Sequence, residues 1–260
     1  MPRVELIGVP GIPLIQTGDD VAALTAKALR ANGLALQDGD VVVITSKIVS
    51  KAEGRWVDLE TVVPDAEAER VAAMCQKDPR EVAVILSESK SISRMRPGVL
   101  IVRHRLGFVC ANAGIDHSNT RPGGQWRLLL PEDPDASARR LREQLNQQFG
   151  VTVAIVISDS QGRPFRMGTV GAAIGAAGLP ALWDLRGRPD LFGAALRVTE
   201  VGFADELAAA AGLVLGQAAE GIPVVIVRGL SFPVNEEGCA ADLTRPPDLD
   251  LYRNGETYPR

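Results

Sequence analysis

The stretch VTVAIVISDSQGRPFR, residues 151–166, decides how this chain is read. Val151, Val153, Ile155, Val156 and Ile157 form an apolar, β-branched run, which predicts a buried strand. The run stops at Ser158, Asp159 and Ser160. Gly162 and Pro164 then predict a turn, and Arg163 and Arg166 follow. A carboxylate and a hydroxyl at the end of a buried strand, beside two guanidiniums, suit a hard cation and a phosphate. Carboxylate oxygens ligate Mg²⁺ or Mn²⁺, and Arg pairs bidentately with phosphate oxygens. The same residues also fit a plain turn with solvated arginines, and the segment by itself does not choose.

Outward from this strand, helices and strands alternate. Residues 134–149 predict an amphipathic helix leading into it, with Leu141 and Leu145 inward and Arg139, Arg140 and Arg142 outward. Residues 168–178 (GTVGAAIGAAG) are glycine-rich, which fits either backbone N–H groups near a phosphate or the close packing of a helix through Gly171, Gly175 and Gly178. Upstream, residues 4–9 predict a strand and residues 19–32 a helix capped by Asp20. Residues 41–45 predict a strand buried on both faces, followed by a dense polar segment, 46–54. Residues 65–75 and 79–87 predict helices. Residues 99–110 are β-rich, with Arg94, Arg96, Arg103 and Arg105 on or before them, and 111–121 read as a polar loop. Downstream come a strand at 195–201, an alanine-rich helix at 205–215 with two acids in its first turn, a strand at 223–228 and a polar tail. The arginine-rich strands interrupt a clean βα repeat, so the expectation is an α+β fold with more than one sheet.

Bulk properties exclude several classes. The 260 residues carry a net charge of −4, which argues against a general nucleic-acid binder. Six Phe, three Trp and two Tyr leave few rings for base stacking. No run is long enough to span a membrane, and no signal-peptide segment is seen, so the expectation is a cytoplasmic protein. Cys75, Cys110 and Cys239 lack metal or disulfide spacing and read as reduced thiols. His104 and His117 read as hydrogen-bonded structural residues.

Phosphate-loop and dinucleotide fingerprints are absent. Asp116, in the loop 112–119, can ligate a hard cation, and Asn119 can bond a base or ribose; an Asx turn is the plainer reading. Gln217 and Glu220 can supply oxygen ligands, or the segment starting at Gly216 simply caps a helix. Lys51, six residues past a buried strand, suits a polyphosphate or an exposed surface equally.

Five segments in this order resemble the coenzyme F420-0:L-glutamate ligase family, the GTP-dependent γ-glutamyl ligases: GIPLIQTGDD, DGDVVVITSKIVSKAEGR, RLGFVCANAGIDHSN, SDSQGRPFRMGTVGAAIGAAGLP and VTEVGFADELAAAAGLVLGQAAEGIPVV. The resemblance covers roughly residues 11–229 and implies a site residue by residue. Asp116 and Asp159 would hold a first divalent cation, Mg²⁺ or Mn²⁺, and Ser160 and Gln217 a second. The family often has Thr where Ser160 stands, and Ser keeps the hydroxyl. Ile12, Pro13, Leu14, Ile15, Ser46, Lys47, Lys51, Asn119, Gly216, Gln217, Ala218, Ala219, Glu220, Gly221 and Ile222 would bind GTP. Lys51, Arg163 and Arg166 would neutralise charge during catalysis, and K⁺ is a further cofactor candidate. The implied fold is two intertwined α+β subdomains with mixed sheets over residues 1–245, then a tail, 246–260, in a homodimer. The implied partners are GTP, L-glutamate and coenzyme F420-0, with no nucleic acid or membrane. A metal-dependent phosphohydrolase and a GTP-binding module without ligase activity are the competing readings.

Overall fold

The computed structural model describes residues 3–118 and 123–250. The chain runs β1 (Glu5–Gly8), α1 (Val21–Ala31), β2 (Val41–Thr45), α2 (Ser46–Ala52) and β3 (Trp56–Asp58), then α3 (Ala66–Cys75), α4 (Pro79–Ser87), β4 (Ser89–Arg96), β5 (Val99–His104) and β6 (Val109–Ala111). It continues through β7 (Trp126–Leu128), α5 (Pro134–Phe149), β8 (Ala154–Arg163), β9 (Arg166–Ala177), β10 (Trp183–Asp184), β11 (Glu200–Val201), α6 (Phe203–Leu215) and β12 (Val224–Arg228). The strands form one five-stranded sheet, β1-β12-β2-β8-β9, a three-stranded sheet, β4-β5-β6, and the pairs β3-β7 and β10-β11. This is the mixed α+β architecture with several sheets that the sequence predicts.

Two compact units divide the chain: Met1–Thr61 with Gly114–Ala240, and Val62–Ala113 with Ala241–Arg260. In the second unit α3 and α4 pack on each other and on β4. Val71, Cys75, Val82, Ile85, Leu100 and Val102 are its fully enclosed core. His104 is structural, as expected: it has no exposed surface, its Nδ1 accepts from the Leu106 amide at 3.0 Å, and its ring stacks on Phe108.

The first unit is built on the five-stranded sheet. Its central strands are uninterrupted apolar runs, and Val41, Val42, Val43, Ile44, Val224, Val225 and Ile226 have no exposed surface. Strands covered on both faces need this continuity. β2 pairs in parallel with β8, and every other pair in the sheet is antiparallel. Helix α5 packs on β8 and β9, α6 on β9 and β12, and α1 on α5. Asp20, Asp65, Asp78 and Asp133 cap α1, α3, α4 and α5, each accepting a backbone N–H in the first turn.

Five expectations need correction. The polar segment 46–54 is mostly helix, since α2 begins immediately where β2 ends. Strand β8 does not stop at Ser158; it runs on to Arg163, because pairing with β9 satisfies its backbone beyond the apolar stretch. Residues 168–178 lie in or just past β9 and are not a helix, although close packing does explain the glycines. A Cβ on Gly171 would strike the Ala208 carbonyl of α6, and one on Gly175 would sit 2.5 Å from the Pro134 carbonyl oxygen of α5. Arg142 is not outward: its side chain is largely enclosed, donating to the Val153 carbonyl at 2.7 Å and pairing with Glu236. Of the strand expected at 195–201, only the two residues of β11 form.

The outermost strand, β9, has its spare N–H groups taken by helix carboxylates. Asp205 accepts from Ala173 and Asp135 from Ala176, each at 2.8 Å. Both acids sit in first helical turns, so they serve the sheet edge as well as the helix dipole. Gly175→Ala is expected to cost about 1–3 kcal/mol by forcing α5 away from β9, whereas Gly162→Ala meets no atom within 4 Å. Urea unfolding of the Gly175 variant with an unchanged midpoint would contradict this packing.

Candidate active site

Sheet topology gathers the predicted residues at one end of the five-stranded sheet. Strand β2 ends at Thr45, which pairs with Ser158 of β8. Strand β12 runs opposite to β2, so its start, Val224, lies beside Ile44, and the Thr45 amide donates to the Pro223 carbonyl at 3.0 Å. Strand β1 runs opposite to β12 and ends with Gly8 against Val225. The segments that leave or enter at this end carry Ile12 to Ile15, Ser46 to Lys51, Asp159 and Ser160, and Gly216 to Ile222.

Ser46 and Asp159 become neighbours through this register alone. The residue after Thr45 meets the residue after Ser158, and Ser46 Oγ donates to Asp159 Oδ1 at 2.9 Å. A bulge in the β8-β9 pairing falls between Ile157 and Ser158, where Ile174 is the extra residue on β9. Bulges re-aim the side chains beside them.

Asp116 arrives by a second route. Its backbone exchanges two 2.9 Å hydrogen bonds with Leu128, and Leu128 pairs with Trp56 just past α2. This holds Asp116 beside α2, where Lys47 Nζ lies 2.6 Å from Asp116 Oδ2 and donates to the Ser118 carbonyl at 3.0 Å. The Ser118 amide and hydroxyl both donate to Asp116 Oδ1 at 2.8 Å. The Asx turn and the functional reading of this loop therefore hold together. Ser118 was not singled out from the sequence; its place two residues after an Asp was the available signal.

Charge is unevenly compensated here. Burial pushes the Asp116 carboxyl up, but Lys47 and Ser118 outweigh it and hold it below the ordinary range. Asp159 keeps a little exposed surface, yet its carboxyl is crowded by protein. Desolvation raises it to about 6, Ser46 opposes the rise, and the like charge of Asp116 adds to it. The two carboxylates therefore feel one another. Lys51 is buried, and desolvation lowers its pKa, with Lys47 adding to the effect and Asp116 opposing it.

Ser160 Oγ donates to Gln217 Oε1 at 2.8 Å, joining β8 to the segment after α6. In that segment Gly216 ends the helix at φ +71° and Glu220 accepts from the Ala218 amide at 2.8 Å. Leu14 is 85% exposed, and Gly18, beyond Ile15, donates to the Ala52 carbonyl at the end of α2. Arg163 and Arg166 face each other at the far end of the β8-β9 hairpin, about 13 Å along the strand from Asp159 at ~3.3 Å per residue. Arg94, Arg96, Arg103 and Arg105 lie in the second unit, where Arg105 pairs with Glu88 at 2.9 Å. Asn119 lies outside the described residues.

The donor set suits hard cations. Among the described residues no cluster of three or more His, Cys, Asp or Glu exists, so a cation here must draw on two carboxylates and neutral oxygens. Asp159, a crowded carboxylate whose side-chain partners, the Ser46 hydroxyl and the Gln161 amide, are both neutral, has the uncompensated charge that such a cation would offset. No helix of the described residues is long and apolar enough to cross a membrane.

A mixed α+β fold with acidic, basic and hydroxyl groups converging at one sheet end defines an enzyme-like site. The family model for F420-0:gamma-glutamyl ligase matches residues 11–229, and the chain belongs to that family. It is 48% identical over 251 residues to the coenzyme F420:L-glutamate ligase of Methanothermobacter thermautotrophicus, covering 96% of this chain and 99% of the relative. The proteins of the same name from Methanopyrus kandleri and Methanocaldococcus jannaschii are 46% and 43% identical, each over 97% of this chain and 99% and 98% of their own.

Asp159 binds its proton more tightly in the folded than in the unfolded chain, so its ionisation opposes folding as pH rises from about 4 to about 6. Asp159→Asn is expected to stabilise metal-free protein at pH 8 by on the order of 3 kcal/mol, an advantage that vanishes below pH 4. Urea midpoints measured in chelator at both pH values check this; equal midpoints at pH 8 would refute it.

Proposed function

We propose that this chain joins L-glutamate to coenzyme F420-0 through an amide bond, driven by conversion of GTP to GDP and phosphate. The family membership supports the overall reaction. The observation that carries the chemistry is the pair of mutually felt carboxylates, Asp116 and Asp159, beside two lysines on α2.

A carboxylate is a poor acylating agent. In the proposed sequence a terminal carboxylate oxygen of F420-0 takes the γ-phosphoryl group of GTP, and the bond to GDP breaks. The glutamate amine then attacks the acyl carbon, phosphate leaves, and the nitrogen loses a proton. Lys47 and Lys51 would neutralise the charge on the transferring group; Lys51, already desolvated, acts at low dielectric where a cation is worth more. Asp116 and Asp159 would hold one divalent cation, and Ser160 and Gln217 a second. Such ions, when bound, polarise phosphoryl oxygens and offset their charge. Lys47 occupies one Asp116 oxygen and Ser118 the other, so it would share Asp116 with the cation or turn to phosphate. Residues 12–15 and 216–222 would flank the nucleotide at the same sheet end.

GTP turnover is expected only when both L-glutamate and F420-0 are present. Turnover with neither would favour a phosphohydrolase, and GTP binding without turnover a binding module. Lys51→Ala is expected to lower kcat at least ~100-fold, the scale of one lost charge-stabilising group; a variant with unchanged kinetics would remove Lys51 from the reaction.

A homodimer is part of the same proposal. Leu191, Phe192 and Val198, all on the segment between β10 and β11, are 99, 95 and 84% exposed, and grouped exposed apolar side chains mark a contact surface. Light scattering is expected to give twice the 27.6 kDa chain mass, falling to one chain when Leu191 and Phe192 are both replaced by Asp. A fully active wild-type monomer would contradict the dimer.

A further inference from the structure

Glu53 stands where local physics disfavours it. It caps the end of α2, its N–H donating to the Val49 carbonyl at 2.9 Å. A helix C-terminus carries partial negative charge, so the dipole opposes a carboxylate there. The Glu53 side chain is nonetheless only 22% exposed, and it reaches across 84 positions to α5. Glu53 Oε1 accepts from Ser137 Oγ and from Arg140 Nη2, the latter at 2.8 Å. Arg140 Nη2 also donates to Ser137 Oγ at 2.9 Å, so a carboxylate, a buried hydroxyl and a guanidinium close one cluster.

The fold does not need this cluster for its own sake. Ser137 Oγ lies 3.1 Å from the Asp133 carbonyl, one turn back on its own helix, and can give its proton there. The Arg140 side chain is 61% exposed and has water as another partner. An ion pair this open adds little to stability.

What the cluster does hold is the end of α2. The helix is seven residues long, too short to keep its shape and direction by its own hydrogen bonds. Its start is fixed by β2, with Ser46 on Asp159. At its end the Gly18 N–H donates to the Ala52 carbonyl at 2.8 Å, and Gly54, at φ +69°, packs so closely on Thr17 that a Cβ would not fit. Both ties run to the segment after residues 12–15. Glu53 adds the tie to α5, which packs on β8 and β9. Lys51 sits in the last turn of α2 and is buried. A buried lysine cannot swing freely to correct for a tilted helix, so any movement of the helix end is passed to its ammonium.

We propose that Glu53 is a positioning residue for Lys51: its carboxylate ties the end of α2 to α5 and so sets where the Lys51 ammonium meets the transferring phosphoryl group. The assignment rests on the ligase reading above. Charge stabilisation depends steeply on placement, and a shift of about 1 Å costs up to ~100-fold in rate. Glu53 touches no reacting atom; it acts through the place of α2.

Kinetics of Glu53→Ala in the wild-type and Lys51→Ala chains test this. In the wild-type chain the substitution is expected to lower kcat about tenfold, with the KM values for GTP, L-glutamate and F420-0 held within about twofold and the urea midpoint nearly unmoved. Glu53→Gln, which keeps an oxygen for Ser137, should recover most of the loss. In the Lys51→Ala chain Glu53→Ala should change the residual kcat by less than about twofold, since a residue that acts through Lys51 then has nothing left to place. Should Glu53→Ala fail to fold, Ser137→Ala, which removes only the hydroxyl, carries the same comparison. An equal fractional loss in both chains overturns the assignment, and so does an unchanged kcat or a loss confined to KM. Wild-type protein without GTP turnover in the presence of L-glutamate and F420-0 overturns the ligase reading and this one with it.

Discussion

One parallel pairing, Thr45 of β2 against Ser158 of β8, fixes the chemistry of this protein. It sets Ser46 opposite Asp159, and through α2 it sets Lys47 and Lys51 on the same side. A slip of one residue would turn every β8 side chain to the other face. The slip is resisted by Ala154, Ile155, Val156 and Ile157, all buried in the core, so the hydrophobic pattern of the strand holds the polar end in place. Asp159 is thus carried into a crowded, poorly solvated position by packing that has nothing to do with its charge. Its raised pKa is the electrostatic cost of that placement, and a bound cation is what would relieve it.

Strand β9 brings the other half of the site into reach. Its small side chains at Gly171 and Gly175 let α6 and α5 approach at backbone distance. Because α6 lies so close, the segment after it delivers Gln217 to Ser160. Asp135 and Asp205 then close the exposed edge of β9 by accepting its N–H groups, which would otherwise present a template for another strand.

Much of this was legible in the sequence where periodicity and packing agree. The helices 66–75, 79–87 and 134–149 carry Asp caps and helical spacing, and they form almost as read. Strands β2 and β12 are plain apolar runs and could be little else. What failed did so for stated reasons. Residues 168–178 resemble a small-residue helix because glycine and alanine suit close packing in either geometry, and only the pairing with β8 decides. The polar half of β8 has no strand signature of its own; β9 supplies it. Arg142 looked like a surface residue on its helix face, but a glycine at 178 leaves room for its side chain to fold inward. Asp116, Asp159, Ser46, Lys47 and Lys51 do come together, and Ser160 meets Gln217. Their convergence could not be read from spacing, since it depends on three strand registers at once.

The contacts that join the separate segments of this sheet end are distant along the chain. Lys47 reaches the Ser118 carbonyl across 71 positions, Ser46 reaches Asp159 across 113, and Ser160 reaches Gln217 across 57. None is a local turn or a helical neighbour. Each needs the entropy of closing a long loop to be met first, which the buried strands do and the polar groups by themselves cannot. No single fragment of the chain therefore carries the assembled site. The polar groups assemble as a late result of the finished sheet, and a chain that has lost its strand order has no residual version of them.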